Sequence, residues 1–282
     1  MKTPDVVTAV SGLRARVEDW RREGLRVALV PTMGALHEGH LSLVAAARKR
    51  AARTVVSIFV NPAQFAPHED FDRYPRDLGR DCAYLAAQGL SDLVFSPEHD
   101  ELYPQGFATR IEMAGPAVGL ETDFRPHFFA GVATVVAKLL IAARPHVAML
   151  GEKDYQQLLV VRRLARDLGL DVEIAGAPIV REPSGLALSS RNDYLGPLDR
   201  PVAERLNVVL AELVQSLREG ESIAEVEQFG REALRLAGFD QVDYVTVRDA
   251  ATLAKAEKPV APMRVLAAAR IGVVRLIDNM AV

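Results

Sequence analysis

Apolar positions follow two spacings along this chain. Val6, Val10, Leu13, Val17 and Trp20 recur every three or four residues, which predicts an amphipathic helix. RVALVP (26–31) is a short apolar run closed by proline and predicts a buried strand. HLSLVAAARKRAA (40–52) returns to helical spacing, with a basic last turn that suits the helix dipole. TVVSIFVNP (54–62) is rich in β-branched residues and ends at Asn-Pro, a strand followed by a turn. The alternation continues with a helix over 76–89, a strand over 91–97, a buried helix over 131–145, a strand over 146–151, a helix over 154–169 and a strand over 171–180. Strands that alternate with helices predict an α/β fold, a parallel sheet with helices on both faces.

The pattern changes after Asn192. Helical spacing over 199–219 and 222–237 precedes three runs, DQVDYVTVRDA, MRVLAAARI and GVVRLIDNM, that alternate like antiparallel strands. Pro259 and Pro262 fall between the first two runs. The chain therefore divides into an α/β domain over 1–180 and a small C-terminal α+β domain over 181–282.

Composition narrows the function classes. The 282 residues carry a formal net charge of −3 and a pI of about 6.1, without the basic excess of a nucleic-acid binder. The single cysteine, Cys82, permits no disulfide within the chain and fits a reducing, cytoplasmic compartment and an inert core residue. The first residues are charged throughout, unlike a signal peptide. The longest apolar candidate, GVATVVAKLLIAA, is interrupted by Lys138 and ends at Arg144-Pro145, short of the about 20 residues of a membrane span.

The chemistry gathers where strands end. MGALHEGH (33–40) carries His37 and His40 between a strand and a helix. A zinc site would want two histidines four residues apart with a glutamate base, whereas HEGH has a three-residue spacing and no evident third ligand nearby. Ligands of open parallel sheets bind at carboxyl strand ends, and helix N-termini attract phosphate. Two imidazoles there can donate to phosphoryl oxygens, and Gly39 leaves room for a nucleotide; capping the helix is the alternative role. In GEKDYQQL (151–158), Lys153 is a point charge at a second strand end. Asp154 can line the cleft or cap the following helix, and Gln157 lies about one turn on.

MGALHEGH resembles the H-x-G-H signature of the nucleotidyltransferase superfamily. With FVNPAQF (59–65), YPRDL (74–78), FAGVATVVAKLL (129–140), GEKDYQQL, LALSSRN (186–192) and the tail VRLIDNM, in chain order, it resembles the pantothenate synthetase family of pantoate–β-alanine ligases. The resemblance implies a Rossmann-like first domain. It places ATP on Met33, Gly34, Ala35, Leu36, His37, Glu38, Gly39 and His40, on Gly151, Glu152, Lys153 and Asp154, and on Val180, Leu188, Ser189, Ser190 and Arg191. It places pantoate between Gln64 and Gln157, with Asn61 beside it, and puts Asp81 near Mg²⁺. His37, His40, Lys153, Ser189, Ser190 and Arg191 would carry the catalysis. Leu188 replaces the family's methionine, a swap of similar volume. Phe128 stands where the family has histidine, with His127 one place earlier, so that histidine's role does not transfer.

The implied reaction condenses (R)-pantoate with β-alanine through a pantoyl adenylate, consuming ATP and releasing pyrophosphate and AMP. ATP is a substrate; Mg²⁺ assists; zinc and flavin are not expected. The resemblance also implies a homodimer, with no nucleic-acid or membrane partner. The C-terminal domain would close over the nucleotide about a hinge near Arg181–Gly185, because an acyl adenylate must be kept from water. The rival readings are transfer of AMP or CMP onto a phosphate, a tRNA synthetase, and an ATP-sensing module without turnover. FVNPAQF offers amides rather than the basic clamp that the first of these needs.

Overall fold

The computed structural model describes residues 3–67, 69–256, 258 and 262–282; Pro259 lies outside them. The chain forms two compact units, one of Met1–Glu152 and Val160–Pro178, the other of Lys153–Leu159 and Ile179–Val282, and so passes between them three times.

Among the described residues, the first unit is built on a six-stranded sheet. In chain order it contains β1 (Asp5–Val7), α1 (Val10–Arg22), β2 (Val27–Thr32), α2 (Glu38–Arg48), β3 (Arg53–Ile58), α3 (Leu78–Gln88), β4 (Leu93–Phe95), α4 (His99–Leu102), α5 (Glu121–Phe124), α6 (Phe128–Ala143), β5 (Val147–Gly151), α7 (Tyr155–Asp167) and β6 (Glu173–Ala177). The first turn of α7 groups with the second unit. The strand order is β1-β4-β3-β2-β5-β6, and each pairing is parallel.

Alternation along β2 explains the layers. Ala28 and Val30 join Leu41, Val44 and Ala47 of α2 and Leu85 of α3 in one core cluster. Val27 and Leu29 are equally buried and point the other way, onto the face where β2 meets α1 and α6. Cys82 lies buried in the first cluster, where desolvation raises its thiol pKa.

One expectation is corrected here. Val6 does not extend the first helix; it lies in β1 and pairs with Val94 of β4. Its spacing fits a helix, but the cross-strand partner lies far along the chain, and helical periodicity carries no record of it.

In the second unit, α8 (Asp199–Glu219) and α9 (Ile223–Leu236) cover an antiparallel sheet of β7 (Gln241–Asp249), β8 (Met263–Ile271) and β9 (Val274–Ala281), in the order β7-β8-β9. Leu206, Leu210 and Leu213 of α8 pack with Val226 and Leu234 of α9 and with Val245, Val265 and Ala267 of the sheet. The segment named above as a hinge is tied down within this unit. Arg181 makes a bidentate pair with Asp278 at 2.6 and 2.9 Å and donates to the Gly185 carbonyl at 3.0 Å.

Candidate active site

The order of the sheet reverses between β2 and β5, which pair directly at Ala28–Val147 and Leu29–Ala148. Such a switch point opens a crevice at the carboxyl strand ends. In the first unit, β2 leads there into Met33–His37, and β5 ends at Gly151, with Glu152 next in the following turn.

The loop after β2 is held in an unusual conformation. Gly34 and Ala35 both have positive φ, 81° and 49°. Such a backbone is natural for glycine and costs about 1 kcal/mol or more for alanine. A Cβ at Gly34 would lie 2.9 Å from Asp81 Oδ2 and 3.1 Å from Ile58 Cγ2. Asp81, 2% exposed on α3, accepts the Leu36 N–H at 2.9 Å. Desolvation raises its pKa, against hydrogen bonds from the Leu36 and Ala35 backbone. Asp81 therefore braces the loop from below.

That loop delivers His37 to the N-cap of α2. His37 Nδ1 accepts the Gly39 N–H at 3.1 Å, and His40 Nδ1 accepts the His37 N–H at 3.3 Å. The two rings lie 4.1 Å apart between centroids. Because each Nδ1 is an acceptor, the neutral ring carries its proton on Nε2. Capping thus sets both tautomers, and each histidine presents an N–H donor beside a helix N-terminus.

A second corner of the same unit holds the amides. Asn61 Nδ2 donates to Gln64 Oε1 at 3.1 Å and to the Gly131 carbonyl at 3.2 Å. Gln64 Nε2 reaches Met33 Sδ at 3.1 Å, which ties this corner to the histidine loop. Tyr103, whose pKa burial pushes up to about 12, donates its hydroxyl to Asn61 Oδ1 at 2.9 Å. Arg125 forks onto Glu69 at 2.6 and 2.7 Å and donates to the Gln64 carbonyl at 3.1 Å. Its guanidinium stacks 3.9 Å above the ring of Phe128. Sequence reasoning did not find Tyr103, which belongs to no quoted motif, or Arg125 and Glu69, whose pairing is long-range.

His127 sits at the N-cap of α6 without a side-chain capping bond, and its buried Nε2 has no hydrogen-bond partner among the described residues. A buried polar atom of this kind is costly unless a bound molecule completes it. His127→Ala is therefore expected to lower kcat/KM about tenfold, the scale of one hydrogen bond to a charged group. Steady-state turnover checks this, and a near-unchanged value would reduce the segment to packing.

The second unit holds the remaining candidates: Lys153, Asp154, Gln157, Val180, Leu188, Ser189, Ser190 and Arg191. Lys153 Nζ lies 3.9 Å from Asp154 Oδ2. Leu188 N–H donates to the Val180 carbonyl at 2.9 Å, and Ser189 Oγ caps a short helix by accepting Arg191 N–H at 3.3 Å.

No group of three or more His, Cys, Asp or Glu among the described residues could hold a metal. Asp81 thus offers Mg²⁺ a single carboxylate, one oxygen of which already serves Leu36. Mg²⁺ is commonly held by one or two carboxylates plus substrate phosphates, so this donor set fits an ion that arrives with a nucleotide. Among the described residues, no helix is long and apolar enough to cross a membrane.

The reversed parallel sheet, with a histidine-capped helix at its switch point, defines a Rossmann-like α/β protein of the H-x-G-H kind. The sequence profile of the pantoate–β-alanine ligase family matches residues 5–281, and the chain belongs to that family as an enzyme of this activity. It is 57% identical over 279 residues to the pantothenate synthetase of Mesorhizobium japonicum, across 99% of this chain and 98% of the relative. Its fold superposes on pantothenate synthetase from Thermus thermophilus with a TM-score of 0.91 at 48% identity, covering 98% of both chains. It also resembles the pantoate–β-alanine ligase of Francisella tularensis, solved in complex with βγ ATP and β-alanine, with a TM-score of 0.83, 33% identity and coverage of 99% and 97%.

Proposed function

We propose that the chain makes its amide through an acyl adenylate. A carboxylate is a poor acylating group at neutral pH and must be activated. The pantoate carboxylate oxygen attacks the α-phosphorus of ATP; the bond to the β-phosphate oxygen breaks and pyrophosphate leaves. The amine of β-alanine then attacks the acyl carbon and loses a proton, the acyl–oxygen bond breaks, and AMP leaves with pantothenate as product.

The observation that carries this reading is the paired Nδ1 capping of His37 and His40, which puts the proton of each neutral ring on Nε2. Charge builds on the α-phosphate oxygens during attack, and preorganised donors aimed there stabilise it. The backbone of Met33–Leu36 and of Glu38, Gly39, Gly151 and Glu152 would line the nucleotide. Lys153 would neutralise the α-phosphate, Ser189, Ser190 and Arg191 would hold the triphosphate, and Val180 and Leu188 would flank the base. Mg²⁺ carried with the triphosphate would reduce its negative charge, with Asp81 as the protein carboxylate nearest the loop. Gln64, Gln157 and Asn61 would hold pantoate by its hydroxyls and carboxylate. The Francisella complex supports ATP and β-alanine as ligands of this fold. The same reading takes the second unit as a lid and the working enzyme as a cytoplasmic homodimer.

The test is pyrophosphate release from ATP and pantoate, with and without β-alanine. A burst of release without β-alanine is expected; strict dependence on β-alanine would overturn the adenylate route. In the same assay Gln64→Ala is expected to raise the pantoate KM roughly tenfold or more while ATP binding stays nearly intact, as loss of one hydrogen bond to an anion requires.

A further inference from the structure

The tail VRLIDNM belongs to the family pattern but has no part in the chemistry above. It forms most of β9, the edge strand of the second unit's sheet. Asp278 and Asn279, adjacent on this strand, are 3% and 2% exposed. Neighbours on a strand point to opposite faces, so two consecutive buried polar residues need partners on both sides.

Both find them. Asp278 takes the fork of Arg181 with both oxygens, and its Oδ1 also accepts the Asn279 N–H at 2.7 Å. Asn279 Nδ2 donates to the Lys153 carbonyl at 2.9 Å, while its Oδ1 accepts from Arg264. Arg264 in turn stacks 3.8 Å above the ring of Tyr155, two residues beyond Lys153. The tail therefore grips the Lys153 turn from one direction.

On the other side, Arg181 opens a small hairpin. It bridges Ala187, and Glu182 N–H donates to the Leu186 carbonyl at 2.8 Å. Glu182 then accepts from Asn192 Nδ2 at 3.0 Å and from Arg200 at 2.6 Å, and Asn192 also donates to the Ala187 carbonyl at 3.1 Å. Ser189, Ser190 and Arg191 lie between these anchor points. A continuous polar path thus runs from the Lys153 carbonyl through Asn279, Asp278 and Arg181 to the loop 189–191, all within one unit.

We infer that Asp278 and Asn279 are positioning residues: together they hold Lys153 and the loop 189–191 in one fixed arrangement, without touching substrate. This rests on the assignment of Lys153 and of that loop to ATP. The physical ground is preorganisation. A cation on a flexible stem contributes fully only if its backbone is fixed, and an error of about 1 Å in a catalytic group can cost 10²-fold. The donor to the Lys153 carbonyl fixes that backbone. The bidentate Arg181–Asp278 pair fixes the hairpin in distance and angle.

The experiment uses the full chain and four enzymes beside the parent: Lys153→Ala, Asn279→Asp, the double variant, and Arg181→Lys. Asn279→Asp keeps the side chain's shape and the acceptor for Arg264, but sets an oxygen against the Lys153 carbonyl. It is expected to lower kcat for adenylate formation about 10²-fold, with the ATP KM changed less than about threefold and native circular dichroism retained. In the Lys153→Ala background the same substitution is expected to cost less than about threefold more, because contacting groups acting as a unit are non-additive. Arg181→Lys keeps the charge but loses the fork, and is expected to raise the ATP KM about tenfold while leaving the pantoate KM unchanged. An unchanged kcat in Asn279→Asp, or an equal loss in both backgrounds, would overturn the positioning role of Asn279. If that variant does not fold, the KM split in Arg181→Lys decides, and equal shifts in both KM values would count against the inference. An active Lys153→Ala enzyme would instead overturn the assignment of Lys153 to the phosphate, a failure separate from that of the tail.

Discussion

His37→Ala and His40→Ala enzymes are each expected to form the adenylate about 10²–10³-fold more slowly, the usual scale for removing one preorganised donor from a developing oxyanion. The capping geometry adds a second effect. His37 Nδ1 accepts Gly39 N–H and His40 Nδ1 accepts His37 N–H, so each substitution also leaves one helix-end donor without its side-chain partner. A lost cap destabilises by about 1 kcal/mol. The two effects separate in measurement. Capping appears in thermal or urea unfolding; phosphate stabilisation appears in the pre-steady-state rate of pyrophosphate formation, because interactions stronger in the transition state act on kcat. Lower stability with an unchanged rate in His40→Ala would confine the pair to capping and remove its catalytic role.

Gly131→Ala is expected to damage both the fold and pantoate binding. A Cβ at this position in α6 would lie 2.2 Å from the Ala63 carbonyl oxygen, 2.5 Å from its carbon and 2.8 Å from the Gln64 nitrogen. These are backbone atoms, so no side-chain rotation relieves the clash. Either α6 or the turn Pro62–Gln64 must shift, and the bond from Asn61 Nδ2 to the Gly131 carbonyl is lost with it. Forcing an extra methyl into such a contact costs about 1–3 kcal/mol, at times more. A displacement near 1 Å at Gln64 would lower kcat/KM for pantoate by about 10²-fold. Urea unfolding and steady-state kinetics check the two halves, and an unchanged midpoint with an unchanged pantoate KM would show that the corner adapts freely.

Much of this molecule is determined within short stretches of sequence. The β-branched run of β3, the helical spacing of α2 and the turn residues between them are local preferences reinforced by one buried face, and periodicity reports that face directly. The same locality made His37 and His40 legible, since a capping residue and its helix are neighbours in sequence. It also showed Lys153 as a charge just past a readable strand, whereas Gln64 and the segment Ser189–Arg191 stood out only through the family resemblance.

Other features depend on partners far along the chain. Val6 carries a helical spacing yet pairs with Val94 in a strand, because a sheet edge was available there. Asp81 reads from sequence as a carboxylate for an ion; only the fold shows that it also lies under Leu36 and braces the strained Gly34–Ala35 backbone. Gly131 reads as one more small residue in an apolar helix until the Ala63 carbonyl is found against it. Asp278 and Asn279 could be quoted as part of a motif, but their work depends on Arg181 and Lys153, brought to them only by the second unit's packing. Hydrophobic spacing records which side of an element faces a core. It does not record which distant backbone or charge lies opposite, and at these positions that opposing group decides what the residue does.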